Sequence, residues 1–299
     1  MWWRRLRKCR GCTGQQAKLL PVPATWCCLT ATGNSRMSEA RKKEICRRFA
    51  KAAASYDEYA LVQQESAARL LTALPEFSAA RILEIGCGTG NYTVRLAARF
   101  PRASLTALDF AEAMIRQAGK KCQAADVAFL HADGEQYLAE NRRQFDLITS
   151  NATMQWFDDL GLALAHVARS LAPRGIFHAS LFGPLSLHEL AAALAEVFVE
   201  PPALPAAQFP GRETIGQLAR ASFARVAITE TVYRRTYLSL QDLFRHIRGT
   251  GTGGYHPALP RLTRGRLQRL EEWFRGHGGF ALSYQIFFVT ASRPDEEPK

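Results

Sequence analysis

The stretch "ILEIGCGTGNYT", residues 82–93, decides the fold. An apolar run breaks off at Glu84, and glycines follow on every second residue, at Gly86, Gly88 and Gly90. Because glycine has no side chain, such a loop lets the backbone approach a ligand closely, and a helical pattern begins directly behind it. A strand, a glycine-rich loop and a helix in this order predict a nucleotide-type binding site at the carboxyl end of a parallel strand.

The spacing within this loop argues against a dinucleotide. The dinucleotide fingerprint requires Gly-x-Gly-x-x-Gly, whereas Asn91 stands at the third position here and the glycine comes one residue early, at Gly90. Glu84 lies just before the loop, where its carboxylate would repel a pyrophosphate. The loop therefore favours a ligand that carries positive charge.

Short apolar strands alternate with amphipathic helices around the loop. Five strands are predicted at 81–85, 104–109, 127–131, 145–150 and 175–181, with helices at about 91–100, 111–122, 135–141 and 159–172. Further helices are predicted near 186–198, 212–221, 239–248 and 263–276, with two last strands at about 225–237 and 280–292. This alternation predicts an α/β fold of the Rossmann-like kind, a mostly parallel seven-stranded sheet with helices on both faces.

The chain is interpreted as one domain over residues 37–293. Apolar residues at helical spacing predict amino-terminal helices over 39–74. The segments 184–224 and 239–276 are interpreted as helical insertions that form a lid over the sheet. Residues 294–299 are expected to be a disordered tail.

The first 36 residues differ in composition from the rest. They contain seven lysines or arginines, no acid, and four of the seven cysteines. Cys9 and Cys12 have the spacing of a metal site, but no second pair follows at a suitable distance, so no metal site is predicted. The segment is basic like a transit peptide, although a start assigned too early, before Met37, is the plainer interpretation. Residues 1–36 are therefore expected to be a disordered leader or a mis-called start.

Composition excludes two broad classes of function. No apolar run reaches the roughly 18 to 20 residues that a membrane-spanning helix needs. The net charge is +12, of which only +5 lies outside the first 36 residues, so nucleic acid is not an expected partner. The scattered remaining cysteines indicate reduced thiols, and a cytoplasmic protein with an acidic substrate or partner is expected.

Two acids follow the glycine loop at the ends of the next strands. Asp109 ends the second predicted strand, where a carboxylate can accept both hydroxyls of a ribose, and Asp133 follows the third, beside an adenine edge. Ordinary strand-end caps are the alternative for both. Together with the motif from Leu83 to Gly90, these acids resemble the class I S-adenosylmethionine-dependent methyltransferases over about residues 80–180.

The resemblance implies S-adenosyl-L-methionine as the cofactor. Glu84 would face the methionine amino group, Asp109 the ribose and Asp133 the adenine amine, and Ser150 and Asn151 would line the methyl-transfer cavity. The cofactor-binding residues that it implies are Glu84, Gly86, Gly88, Gly90, Asp109, Asp133 and Ser150.

The flanking segments resemble a narrower family. "RRFAKAAASYDEYALVQQESAARLL", "LFGPLSLHEL" and the carboxyl-terminal stretch from "HIRGTGTGG" onward are similar to the malonyl-acyl-carrier-protein O-methyltransferases of biotin synthesis. The likeness runs from about residue 44 to 291 and is weakest over 199–236. It implies methylation of the free carboxylate of a malonyl thioester. A methyltransferase for another small acid, such as an aconitate-like tricarboxylate, and a cofactor-binding assembly factor without catalysis are the alternatives.

A malonyl carboxylate is already ionised near neutral pH, so no general base is required. The site must instead supply donors that position this carboxylate. The candidates are Tyr56, Asn151, Gln155, His246 and Arg248, with Tyr284 a weaker one. Arg248 is preferred because a guanidinium binds a carboxylate through two parallel hydrogen bonds.

The implied partner is acyl carrier protein, a small acidic helical bundle, which a basic face would attract. Four arginines on one predicted helix and the segment before it form a candidate docking patch, Arg261, Arg264, Arg266 and Arg269. A solvated helix face is the plainer interpretation of the same charges.

Overall fold

A computed structural model describes residues 34–123, 125–251 and 262–293, with side chains from Glu39 onward. Seven strands form one sheet, β1 (Arg81–Ile85), β2 (Ser104–Asp109), β3 (Val127–His131), β4 (Phe145–Asn151), β5 (Leu171–Phe182), β6 (Arg225–Thr236) and β7 (Ala281–Ser292). Their order across the sheet is β3-β2-β1-β4-β5-β7-β6. The first five strands pair in parallel, and β7 runs antiparallel between β5 and β6. The predicted α/β fold is therefore confirmed.

The helices follow the predicted alternation. They are α1 (Asn34–Ala52), α2 (Tyr56–Tyr59), α3 (Leu61–Thr72), α4 (Asn91–Arg99), α5 (Glu112–Lys121), α6 (Gly134–Glu140), α7 (Leu160–Ser170), α8 (His188–Val197), α9 (Arg212–Arg220), α10 (Leu240–Gly249) and α11 (Arg264–Gly276). Since α1 begins at Asn34, the last three residues of the expected disordered leader are helical. Among the described helices, none combines the length and apolarity that crossing a membrane would need.

The start of β5 corrects one predicted boundary. The strand begins at Leu171, which pairs with Phe145, although the sequence predicted a helix to residue 172 and a strand only from Gly175. The register shifts close to this point, and Arg174 has a φ of 60°. Pro173 and Gly175 therefore mark an irregularity inside the strand, because a bulge accommodates such residues without ending it.

The core lies on both faces of the sheet, because successive strand residues point to opposite sides. On one face, Ile82 packs in an apolar cluster with Leu70 of α3 and Leu96 of α4. On the other face, Leu83 packs with Leu164 of α7 and with residues of α9. Part of segment 184–224 thus covers a face of the sheet through α9.

A third apolar cluster joins α8, α10 and α11 beside the first residues of β7. Leu190, Leu243 and Leu270 supply one buried residue from each of these helices, and Leu282 of β7 packs with them. The predictions for residues 1–33, 252–261 and 294–299, including those for Cys9, Cys12 and Arg261, fall outside the described residues.

Candidate active site

The glycine loop connects β1 to α4 in a conformation that requires glycine. Gly86, Gly88 and Gly90 have φ values of 73°, 53° and 85°, in the left-handed region where a side chain causes strain. A β-carbon at Gly86 would overlap the side chain of Thr153, and one at Gly90 would lie 3.0 Å from the α-carbon of Ala118. At Gly88, apart from its chain neighbours, no atom of the described residues lies within 4 Å of that position. The middle glycine therefore leaves space for a ligand.

The loop forms one wall of a cavity at the carboxyl ends of β1, β2 and β4. The amino-terminal helices α1, α2 and α3 contribute further lining residues, and the space, including the part that is open to solvent, amounts to about 990 Å³. The parallel strands thus place the site where the sequence predicted it.

Glu84 lies in the cavity wall with a carboxylate that has an unpaired oxygen. The residue is 1% exposed, and its Oε2 atom has no hydrogen-bond partner among the described residues. Burial raises the pKa of Glu84 to about 8, and the negative charge of Asp109 acts in the same direction. A buried carboxylate is stabilised by a cation, so this position suits the ammonium group of a ligand.

Asp109 connects the end of β2 to the glycine loop. It is 7% exposed, its Oδ2 atom accepts a hydrogen bond from the Gly88 amide at 2.9 Å, and Oδ1 accepts one from the Ala111 amide at 2.8 Å. Burial raises the pKa of Asp109 to about 6. Each carboxylate oxygen has two acceptor positions, so both can still accept a ribose hydroxyl.

Asp133 caps α6 and also lines the cavity. Its Oδ1 atom accepts hydrogen bonds from the amides of Glu135, at 2.8 Å, and Gln136, at 3.3 Å. Its Oδ2 atom accepts one from Lys42 of α1 at 3.0 Å. The hydrogen bonds that Asp133 makes within the protein are thus those of a helix cap, and the residue also lines the cavity.

Lys42 ties α1 to this end of the cavity. Its Nζ atom lies 2.6 Å from Glu135, 3.0 Å from Asp133 and 3.4 Å from Asp158. Burial acts to lower the pKa of Lys42, but the hydrogen bonds to Glu135 and Asp133 outweigh it and raise the pKa above its ordinary value. The ammonium group is thus charged and satisfied by carboxylates.

Aromatic rings line another part of the cavity. Phe49 of α1 contacts Tyr56 of α2 and Trp156, with ring centroids 6.3 Å and 6.0 Å apart, and Trp156 contacts Phe209 at 5.0 Å. Phe49, Tyr56 and Trp156 line the cavity. Rings at these separations pack favourably, so this part of the cavity wall is apolar.

Asn151 lies at the end of β4, between the loop and the aromatic rings. Its Oδ1 atom accepts a hydrogen bond from Ser180 at 2.8 Å, and its Nδ2 atom donates to the main-chain carbonyl of Gln63 at 3.0 Å. Ser66 of α3 donates to Ser180 at 3.0 Å. This buried network joins α3, β4 and β5, so it fixes the cavity wall.

Known proteins of similar sequence are methyltransferases. The family model described as "Methyltransferase domain" matches residues 82–175. The malonyl-[acyl-carrier protein] O-methyltransferase of Paenibacillus sp. (strain JDR-2) is 34% identical over 272 residues, which cover 84% of this chain and 98% of that protein. The protein of the same name from Bacillus cytotoxicus is 33% identical over 83% of this chain and 90% of its own length.

The chain belongs to the malonyl-[acyl-carrier protein] O-methyltransferase family. Solved structures support its fold. The YcgJ protein from Bacillus subtilis has a TM-score of 0.53 at 16% identity, over 77% of this chain and 98% of that one. Haemonchus contortus phosphoethanolamine N-methyltransferase 2, solved with S-adenosyl-L-methionine, has a TM-score of 0.52 at 15% identity, over 82% and 57%.

In this member of the O-methyltransferase family, most of the predicted site residues meet at the cavity. The structure brings together Tyr56, Glu84, Gly86, Gly88, Asp109, Asp133 and Asn151. Gly90 does not line the cavity, because its role in the structure is the close packing of the loop on α5. Ser150 is fully buried, and its hydroxyl donates to the carbonyl of Ile85 at 2.9 Å, which holds β4 against β1.

Three predicted substrate residues of this methyltransferase lie away from the cavity wall. Gln155 is buried, and its Nε2 atom donates to the carbonyl of Ala152 at 2.8 Å. His246 of α10 packs edge-on against Tyr59, with centroids 5.4 Å apart. Arg248 is exposed on the same helix. Because α10 packs its apolar face in the core, His246 and Arg248 point away from the cavity.

Two arginines of the candidate docking patch of this methyltransferase make contacts within the fold. The guanidinium of Arg266 lies over the Phe198 ring at 4.6 Å, and Arg269 donates to the carbonyl of Glu196 at 2.9 Å. Both contacts hold α11 against the end of α8. Arg264 is exposed at the first turn of α11.

Proposed function

We propose that this protein transfers the methyl group of S-adenosyl-L-methionine to the free carboxylate of a malonyl thioester, carried on acyl carrier protein. The product would be the methyl ester that enters biotin synthesis, and the reaction would take place in the cytoplasm. The observation that carries the proposal is the buried, partly unpaired carboxylate of Glu84 in a cavity whose other wall is aromatic. The names of the relatives, which give malonyl-acyl-carrier protein as their substrate, support the choice of acceptor.

The residues present fit this cofactor. Glu84 would bind the ammonium group, because one oxygen of its buried carboxylate has no partner in the described part of the chain. Asp109 would accept the ribose hydroxyls, and the open side of Gly88 would let the ligand approach the main chain. When bound, S-adenosyl-L-methionine supplies a methyl group on a sulfonium sulfur that leaves with the electron pair of the broken bond.

The protein then has to position and desolvate the acceptor. No general base is needed, since the malonyl carboxylate is ionised at neutral pH. Phe49, Tyr56 and Trp156 exclude water from the side where the acceptor enters. A dry, shaped site favours a reaction in which an anion and a cation combine into neutral products, because water would stabilise the separated charges.

We also propose that acyl carrier protein docks on the basic side of α11. Arg264 is the exposed member of the predicted patch, while Arg266 and Arg269 also hold α8. Docking of an acidic bundle there would act mainly through the association rate and would weaken with salt.

Methyl ester formation on malonyl-acyl-carrier protein, compared with free dicarboxylic and tricarboxylic acids, tests the proposed function. We expect turnover on the malonyl thioester and little on the free acids. Preferential methylation of an aconitate-like acid would support the first alternative. Cofactor binding without turnover on any acid would support the non-catalytic assembly factor.

A further inference from the structure

The cavity wall contains no cation that is free to bind a substrate carboxylate, as far as the described residues show. Lys42 is the one lysine or arginine among the described lining residues, and its ammonium group already contacts Asp133, Glu135 and Asp158. A carboxylate bound beside the aromatic wall must therefore be met by neutral donors, because burying it without hydrogen bonds would cost several kcal/mol.

Gln63 supplies such a donor. It lies on α3, is 8% exposed, and lines the cavity. Its side-chain amide makes no hydrogen bond within the described part of the chain, while its main-chain carbonyl accepts one from Asn151 at 3.0 Å. Facing the cavity without a protein partner, this amide can donate a hydrogen bond to a ligand group.

The orientation of Gln63 is fixed by its neighbours on α3. Val62, Ser66, Ala67 and Leu70 are buried on the same helix, and Ser66 donates to Ser180 of β5 at 3.0 Å. The helix therefore cannot rotate to expose Gln63 to solvent without breaking this packing. The amide is held on the cavity wall by the fold.

Tyr56 offers a second neutral donor on the same wall. Its hydroxyl makes no hydrogen bond among the described residues, and its ring packs against Phe49 with centroids 6.3 Å apart. Burial raises the pKa of Tyr56, with smaller contributions from Asp109 and Asp57. The hydroxyl thus stays protonated at neutral pH and can donate.

We propose that the side-chain amide of Gln63, together with the hydroxyl of Tyr56, binds the free carboxylate of the substrate and selects thioesters that end in a carboxylate. This inference rests on the proposed function. In the reaction, a lone pair of the carboxylate oxygen forms the bond to the methyl carbon, the carbon–sulfur bond breaks, and its electron pair stays on sulfur. No proton moves.

Neutral donors suit this reaction better than a guanidinium. The negative charge on the oxygen disappears as the ester forms, so a fixed cation would stabilise the reactant more than the transition state. An amide and a hydroxyl also orient the oxygen, but they stabilise the charged reactant less and so raise the activation barrier less. The chemistry therefore gives a reason for the absence of a free cation among the described lining residues.

The variant Gln63→Leu tests the assignment, because leucine is apolar and of similar size. The binding of malonyl- and acetyl-acyl-carrier protein would be measured with S-adenosylhomocysteine present, so that no turnover occurs. We expect the affinity for the malonyl thioester to fall about 10- to 100-fold, while the affinities for the acetyl thioester and for S-adenosylhomocysteine change less than about twofold. The exposed residue Gln217 of α9 provides the matched control, Gln217→Leu, which should keep the wild-type preference.

A second variant keeps the test valid if the leucine variant folds poorly. Gln63→Glu places a carboxylate opposite the substrate carboxylate, and it becomes a donor again when protonated. The kcat/KM of this variant relative to wild type should therefore rise as the pH falls, which a purely structural role of Gln63 would not produce.

The outcomes separate the two claims. Wild-type protein that methylates no malonyl thioester would overturn the proposed function. Wild-type turnover together with an unchanged preference for malonyl over acetyl thioester in both Gln63 variants would overturn only the assignment of Gln63.

Discussion

The Oδ1 atom of Asp57 accepts a hydrogen bond from the hydroxyl of Thr89 at 2.5 Å, so a carboxylate of α2 holds the glycine loop. The same oxygen accepts from the side chain of Asn91 at 2.8 Å, and Lys121 lies 2.6 Å from Oδ2. These contacts come from three separate elements. The amino-terminal helices therefore fix the shape of the loop from outside it, besides covering the cavity.

Loss of the Asp57 carboxylate should loosen the loop and weaken cofactor binding. For Asp57→Ala we expect the affinity for S-adenosyl-L-methionine to fall about 10-fold, because Thr89 of the loop and Asn91 at the start of α4 lose a charged acceptor. Isothermal titration calorimetry measures this directly. Glu58, exposed on the same helix, gives the control Glu58→Gln, which should bind as the wild type does. Equal affinities in Asp57→Ala and wild type would show that the loop keeps its shape without α2.

Glu84 should make cofactor binding depend on pH. The pKa of Glu84 is raised to about 8, so the carboxyl group is largely protonated at pH 7 and must ionise to pair with an ammonium group. Binding should then release a proton, and the affinity should rise between about pH 6.5 and 8. Calorimetry in two buffers with different ionisation enthalpies measures the released proton. Glu84→Gln should bind more weakly and without this pH dependence; a wild-type affinity that is flat over the range would contradict the assignment.

The same residue should affect the stability of the protein measured without cofactor. Its pKa is about 8 in the folded chain and 4.5 ordinarily, so the folded state binds the proton more tightly. Its contribution to stability is therefore complete below about pH 4.5 and is lost as the pH rises to about 8. Glu84→Gln should remove this loss, so its stability advantage over wild type should grow by roughly 2 kcal/mol as the pH rises from 6.5 to 8.5. Urea unfolding at both pH values provides the comparison, and parallel curves for the two proteins would contradict the prediction.

The strand ends and the acids on them could be predicted from sequence because they follow local rules. Apolar runs, a glycine loop and a carboxylate at each strand end sit at fixed positions in a parallel sheet. β2 and β3 accordingly have the predicted bounds. The third glycine is the exception, since the close packing of Gly90 on α5 depends on the tertiary fold.

The amino-terminal wall of the cavity could not be predicted in the same way. The hydrogen bond between Lys42 and Asp133 joins residues 91 positions apart, and that between Asn151 and Gln63 joins residues 88 apart. No local pattern fixes such pairs. Of the residues that these helices contribute to the cavity, the sequence predicted Tyr56 alone as a site residue.

The placement of Arg248 shows a different limit of prediction from sequence. The helix α10 buries Leu240, Leu243 and Ile247 in the cluster shared with α8 and α11, and this packing sets its rotation. Arg248 follows Ile247 directly, so it points away from that buried face and is exposed. Residue chemistry suggested a carboxylate partner, whereas the packing of the helix decides which side chains reach the cavity.

The aromatic wall should matter for the acceptor more than for the cofactor. Trp156 contacts Phe49 and Phe209, with centroids 6.0 Å and 5.0 Å apart. Trp156→Ala would open this wall to water, so we expect kcat/KM for the malonyl thioester to fall about 10- to 100-fold. Trp156→Phe keeps a ring and should retain most of the activity. If the alanine and phenylalanine variants lose activity equally, the indole has a specific role that water exclusion does not explain.

Reversal of charge at Arg264 should separate carrier docking from catalysis. Arg264→Glu places an acid on the exposed first turn of α11, where it would repel an acidic bundle. We expect kcat/KM on malonyl-acyl-carrier protein to fall about 3- to 10-fold at low salt, with a smaller loss at high salt and no change on malonyl-coenzyme A. Arg102 is exposed near the amino end of β2, at the opposite edge of the sheet from the cavity, so Arg102→Glu is the matched control and should behave as wild type with both substrates. An equal loss by Arg264→Glu on both thioesters would place the effect in the fold of α11, and docking would then have to lie on another surface.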